Sequence, residues 1–173
     1  ASVASFFVSR VDTKVDKLLT EAGGRAELEA RGRAAIANAK LAYEAFGEIF
    51  GGDEFADLRA AGANVQRCLW ASTSTKNPDY RDVLYVEELI GPDTVDTMPL
   101  ETIEAFLDHG IVARTLDRGI DDARQAIREV EASGIGMERV TRELLEEGVA
   151  SFAKSFDELI ETIESKRKEL APA

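Results

Sequence analysis

The segment Asn64-Val65-Gln66-Arg67-Cys68-Leu69-Trp70-Ala71-Ser72-Thr73-Ser74-Thr75-Lys76-Asn77-Pro78 decides how the rest of the chain is read. Its first half has the length and apolar content of a short buried strand. Its second half gathers four hydroxyls, one ammonium and one amide into the seven residues from Ser72 to Pro78. A strand whose C-terminal end opens into a polar loop is where α/β barrels carry their chemistry. Hydroxyls, loop amides and a cation suit a phosphate, which takes several donors and positive charge together. A plainer reading competes: a Ser/Thr-rich turn that caps the next helix.

Working outward, 173 residues make one domain on length grounds, with 45% apolar residues to build a core. The net charge of −12 and a pI near 4.6 argue against nucleic acid or an anionic membrane as partner. They leave a small phosphate ligand open, because a local group of donors can oppose the global charge. Cys68 is the single cysteine, so no intrachain disulfide can form and a reducing, cytoplasmic setting is expected. No signal peptide is expected, and no apolar run is long enough to span a membrane. His109 is the single histidine, which speaks against a His-rich metal site and a Ser-His triad.

Ser2 to Val8 reads as a buried strand on its Val and Phe content, followed from Arg10 by helical charge spacing. Arg25 to Phe50 reads as one long helix, with Ile36, Ala39, Tyr43, Phe46 and Phe50 on a stripe between two glycine pairs. Phe55 to Ala61 gives a short helix closed by Gly62. After the central strand, Pro78 fits the start of a helix running through Val83, Val86, Leu89 and Ile90. Thr94 to Met98 is a weaker strand, interrupted by Asp96. Pro99 then opens a helix that ends at His109, which reads as a C-terminal cap rather than a catalytic base. Ile120 to Ala132 is a further helix. Met137 to about Leu170 carries Leu145, Val149, Phe152, Phe156, Leu159 and Ile163 on one stripe, with Gly148 implying a break or a close contact.

Strand, helices, strand, helix, strand, helices, without hairpin signals, implies a parallel sheet with helical crossovers. Three parallel strands cannot close a barrel, and such a sheet normally has both faces covered. The strand count and the abrupt start therefore lead to the expectation that an N-terminal portion lies outside this chain.

Four blocks resemble transaldolases, particularly the bacterial group with long inserted helices. Ala4-Ser5-Phe6-Phe7-Val8-Ser9-Arg10 resembles the sixth barrel strand of that family, and the central segment resembles its seventh strand and phosphate loop. Glu88 to Pro99 resembles the eighth strand, and Glu147 to Leu159 the C-terminal helix. The fold implied is α/β: the C-terminal part of a (β/α)₈ TIM barrel, with about three parallel strands and extra long helices, over residues 1–173. The resemblance implies a transaldolase of the pentose phosphate pathway, moving a dihydroxyacetone unit between sugar phosphates through a lysine Schiff base. That chemistry requires no metal or organic cofactor. Ser5 is implied to hydrogen-bond the ketose, while Arg10, Ser74 and Lys76 are implied to bind phosphate. Lys76 stands where much of the family has arginine, supplying charge but not a bidentate fork. Phe7 matches an aromatic wall position, with core packing as its alternative. The Schiff-base lysine and the acid/base carboxylates belong to strands outside this chain, so no catalytic residue is assigned here. The partners implied are sugar phosphates and the remaining part of the barrel, with self-association of the chain alone. Members of the family also occur fused to a phosphoglucose isomerase. The alternative is a non-catalytic helical interaction module derived from the enzyme, docking a partner through the two long stripes.

Overall fold

The computed structural model describes residues 2–170. The apolar start of the chain forms strand β1 (Ser2–Phe7), and Val8 already begins helix α1 (Val8–Ala22). Strand and helix meet without a linker. Helices α2 (Arg25–Glu29), α3 (Ala34–Gly51) and α4 (Asp53–Ala60) carry the chain to β2 (Gln66–Ala71). Helix α5 (Leu84–Glu88) leads to β3 (Thr94–Asp96), followed by α6 (Leu100–His109), α7 (Ile120–Ala132) and α8 (Met137–Leu170). The three strands form one parallel sheet in the order β1-β2-β3, as helical crossovers require.

The register sorts the side chains into two faces. Ala4, Cys68 and Thr94 share one row, and Phe6, Trp70 and Asp96 the next on the same face. On that face Cys68 and Trp70 are buried, and α3 packs against β2. The alternate row of Ser5, Leu69 and Val95 faces the other way. There Val3 and Ser5 are exposed and Leu69 and Val95 only half-buried, so among the described residues this face is largely uncovered.

Two expected helices differ. The single helix over Arg25–Phe50 is two, α2 and α3, separated by a turn in which Gly32 has φ +73°. The apolar stripe continues through this point in the sequence, but a left-handed residue cannot continue an α-helix. The turn is held from outside: the Gly32 amide donates to Asp16 Oδ1 at 2.9 Å. A β-carbon at Gly32 would also stand 2.8 Å from Tyr80 Cζ. After Pro78 the chain makes turns rather than a helix until Leu84, because its hydroxyls and carbonyls bond locally, as Thr75 does to Arg81 and Asp82. Helix α8 runs without interruption through Gly148, so the break, one of the two readings of that glycine, is not found.

Helix α1 buries Val8, Val11, Val15 and Leu19, and with them a carboxylate, Asp12. Asp12 accepts the Ala35 amide at 2.7 Å and the Tyr85 hydroxyl at 2.9 Å, binding α1 to the start of α3 and to α5. One turn on, Asp16 accepts the Tyr80 hydroxyl at 2.6 Å. Helices α3 and α7 pack through Ala37, Ala123 and Ala126, small residues that let the backbones approach. Beside them the buried Lys40 pairs with Glu88 at 3.1 Å and donates to the Arg118 carbonyl at 3.3 Å. Residues 138–170 form a second unit, the bulk of α8, whose stripe of Leu145, Val149, Phe156, Leu159 and Ile163 is more than half exposed at every position. Among the described residues no helix is long and apolar enough to cross a membrane.

Burial raises the Asp12 carboxyl from the usual 3.8 to about 6, against the opposing Ala35 amide. The native state therefore holds this proton more tightly than the unfolded chain. The contribution favours folding fully below pH 4 and is lost as pH rises through 6, on the order of 3 kcal/mol. Asp12→Asn is expected to flatten the stability curve between pH 4 and 6 in urea unfolding; an unchanged slope would contradict this account. Gly32→Ala and Gly134→Ala both place alanine at positive φ, with a cost of about 1–2 kcal/mol. Only Gly32→Ala also meets Tyr80, so thermal denaturation is expected to show it as the worse by roughly 1–3 kcal/mol.

Candidate functional site

Three strand ends and the segments leaving them make the C-terminal edge of the sheet. At this edge the Ser9 amide donates to the Ser72 carbonyl at 3.0 Å, tying the first turn of α1 to the loop after β2. Ser72 has φ +54°, a left-handed turn that redirects the chain out of the strand. Thr73 follows, with no exposed surface, and its hydroxyl donates to the Thr97 carbonyl at 3.0 Å. The Thr97 amide in turn donates to the Trp70 carbonyl at 3.0 Å. The polar loop is thus gripped by β1's exit on one side and β3's on the other.

Past this grip, Ser74 accepts the Lys76 ammonium at 2.7 Å. The Thr75 hydroxyl hydrogen-bonds the Arg81 and Asp82 carbonyls at 2.9 and 3.1 Å. Asn77 accepts the Asp79 amide through its side chain at 3.0 Å, an Asx turn that closes the loop. Tyr80 fastens the far end to Asp16 of α1, and burial followed by that carboxylate pushes its phenol upward in pKa.

Arg10 lies in the first turn of α1, one residue from the Ser9–Ser72 bond. Its guanidinium stands over the Phe7 ring, 4.5 Å from the centroid. The first turn of α1 has no acidic residue and no side-chain cap; one of its amides, that of Ser9, is taken by the Ser72 carbonyl. Among the described residues neither Arg10 nor Lys76 forms an ion pair with a carboxylate, although most charged helices here are laced with them. Ser5 sits two residues before the end of β1, exposed on the uncovered face and opposite Leu69. Arg10 is thus one residue from the Ser9–Ser72 backbone bond and Ser74 two residues beyond it, with Lys76 bonded to Ser74, while Ser5 lies on β1.

Other polar groups fall elsewhere. His109 ends α6, but its ring bridges Asp82 at 2.9 Å and Asp108 at 3.1 Å instead of capping helix carbonyls. Those two carboxylates, Asp82 first, hold its pKa above the ordinary imidazole value. None of the three strands carries a lysine, and the buried Lys40 belongs to an outer helix and is paired. The shelf that Phe7 gives Arg10 was readable as an aromatic–cation pair three residues apart. The Tyr80–Asp16 bond spans 64 positions and has no such local signal.

The family model for transaldolase/fructose-6-phosphate aldolase matches residues 1–163. A Mycolicibacterium smegmatis transaldolase is 49% identical over 166 residues, 95% of this chain and 45% of that protein. Transaldolase 1 of Streptomyces coelicolor is 50% identical over 163 residues, 94% of this chain and 43% of its own length. A Mycobacterium tuberculosis transaldolase is 50% identical over 162 residues, again 43% of its length. The chain spans less than half the length of these relatives. Its parallel strands, each leading into helix, have the architecture of a partial α/β barrel, and the chain belongs to the transaldolase/fructose-6-phosphate aldolase family.

Proposed function

We propose that this chain is the phosphate-gripping part of a transaldolase of the pentose phosphate pathway type. In this reading a lysine outside the chain condenses with the carbonyl of a ketose phosphate, releasing water and forming an iminium. Cleavage of the neighbouring carbon–carbon bond then frees an aldose phosphate, and the electron pair is held as an enamine. The enamine attacks the aldehyde of a second aldose phosphate, such as glyceraldehyde 3-phosphate, and hydrolysis returns the amine. Sedoheptulose 7-phosphate or fructose 6-phosphate supplies the three-carbon unit. The iminium is the electron sink, so the reaction calls for no metal or organic cofactor.

The residues here act on the other end of the sugar. Arg10 offers a planar fork of donors, Lys76 a point charge, and Ser74 a hydroxyl already oriented by Lys76. Ser5, on the uncovered face, hydrogen-bonds the ketose nearer its reacting carbons. Holding the phosphate fixes the distance between tail and carbonyl, which is how remote binding accelerates a step elsewhere. The observation that carries this reading is that Arg10, beside the exit of β1, and Lys76, in the loop after β2, lack carboxylate partners among the described residues of a chain with net charge −12. The remaining barrel strands are the proposed partner, covering the open sheet face and pairing with the free edges of β1 and β3. The cytoplasm is the proposed setting, in keeping with the free, buried Cys68.

Inorganic phosphate is expected to bind the chain weakly in calorimetric or NMR titrations. Arg10→Ala, or Ser74→Ala with Lys76→Ala, should weaken that binding about tenfold, the scale of one charge-assisted hydrogen bond. Binding that survives both changes would remove the site. A second expectation concerns division of labour. Borohydride reduction of the chain with fructose 6-phosphate should leave its intact mass unchanged, and a trapped adduct on any lysine would refute the assignment of the Schiff base elsewhere.

A further inference from the structure

The row Phe6–Trp70–Asp96 crosses the covered face of the sheet directly beneath the polar loop. Trp70 has no exposed surface and packs its ring on Phe6, with centroids 5.6 Å apart. Two buried polar atoms in this row have no hydrogen-bond partner among the described residues: Trp70 Nε1, a donor, and Asp96 Oδ1, an acceptor. A carboxylate in such a place costs stability unless its charge has a use or is titrated away.

The groups that meet the Asp96 carboxyl are the Thr73 hydroxyl and the Thr97 amide. Thr73 has one hydroxyl hydrogen, and it points to the Thr97 carbonyl at 3.0 Å. An ionised Asp96 competes with Thr97 for that hydrogen. A protonated Asp96 brings its own hydrogen to Thr73 Oγ1 and leaves the Thr97 bond intact. Thr73 is the buried residue between left-handed Ser72 and the donor Ser74, so its orientation sets where the loop points.

We propose that Asp96 is a positioning residue for the oxyanion loop, acting through Thr73: the neutral carboxyl locks the loop that carries Ser74 and Lys76, and the carboxylate loosens it. This inference rests on the phosphate reading of that loop. Burial raises the Asp96 carboxyl to about 6, within the range where the exchange operates, with Thr73 and Thr97 opposing. No charged side chain contributes to that rise, and the groups against Asp96 on β2, its loop and β3's own exit (Trp70, Thr73 and Thr97) are all neutral. A buried negative charge beside the loop would also oppose a bound anion, so both effects act in one direction.

The test uses the chain as it stands, with sulfate as a tetrahedral oxyanion that does not itself titrate between pH 5 and 8. Trp70, the single tryptophan, gives the optical signal. Sulfate affinity is expected to fall about two- to tenfold as pH rises through 6, the span of one neutral hydrogen bond. In Asp96→Asn, which keeps a donor facing Thr73, affinity should stay at the low-pH value across the range, and the step in Trp70 emission should vanish. Tyr85→Phe, which alters the surroundings of the other raised carboxyl, Asp12, should retain that step. Thr73→Val is expected to weaken sulfate at every pH, with recovery in Thr73→Ser. An identical pH step in Asp96→Asn, or unaltered binding in Thr73→Val, overturns the role of Asp96 while leaving the phosphate site standing. A wild-type chain that binds neither sulfate nor phosphate overturns the site itself, and the inference with it.

Discussion

Parallel strands cannot be joined by a tight turn, so the ladder between β1 and β2 obliges the whole segment from Val8 to Val65 to leave the sheet and return. That obligation shapes most of the molecule. The excursion becomes α1 to α4, its apolar surface covers Cys68 and Trp70, and its departure and return put two strand ends side by side. The Ser9–Ser72 backbone bond closes the arrangement at the edge where the strands stop. Without the six-residue register, the ends of β1 and β2, and with them Ser9 and Ser72, would not lie side by side.

Much of this was legible because it rests on short-range patterns. Valine, phenylalanine and tryptophan in brief apolar runs marked the strands, and the absence of hairpin signals marked them as parallel. Proline at position 99 opens a helix as its fixed φ allows, and glycine at 52 ends one where a β-carbon would stand 2.8 Å from the Glu48 carbonyl oxygen. The turn at Gly32 was not legible. Nothing near it in sequence states that Asp16 would take its amide or that Tyr80 would occupy the space a side chain needs. The helix expected from Pro78 fails for a related reason: Thr75 and Asn77 satisfy the backbone locally, and the apolar spacing beyond them cannot outweigh that. His109 was read by position alone, whereas the carboxylates it bridges include Asp82, 27 residues away.

The site was legible as a composition before it was legible as a place. Four hydroxyls and a lysine are the composition on which the proposed phosphate loop rests, and the family resemblance adds Ser5 and Arg10 to that proposal. What composition could not convey is which hydroxyls are available. Thr73 and Thr75 spend theirs on backbone carbonyls and hold the loop's shape, whereas Ser74 and Lys76 face each other at its surface. The support under the loop, Trp70 with Asp96, read as an apolar core residue and a blemish in a weak strand.

Helix α1 carries a consequence of its own. Its start presents Arg10, its first turn is bonded to Ser72, and one turn past Asp12 it receives Tyr80 from the other end of the same loop. Both termini of the loop are thus moored to a single rigid rod. In the proposed phosphate site, the entropy of ordering this loop is settled when the chain folds rather than when an anion arrives. A guest there would meet a chelating hand already half closed, and its affinity would track the straightness of α1 as much as the chemistry of any one finger.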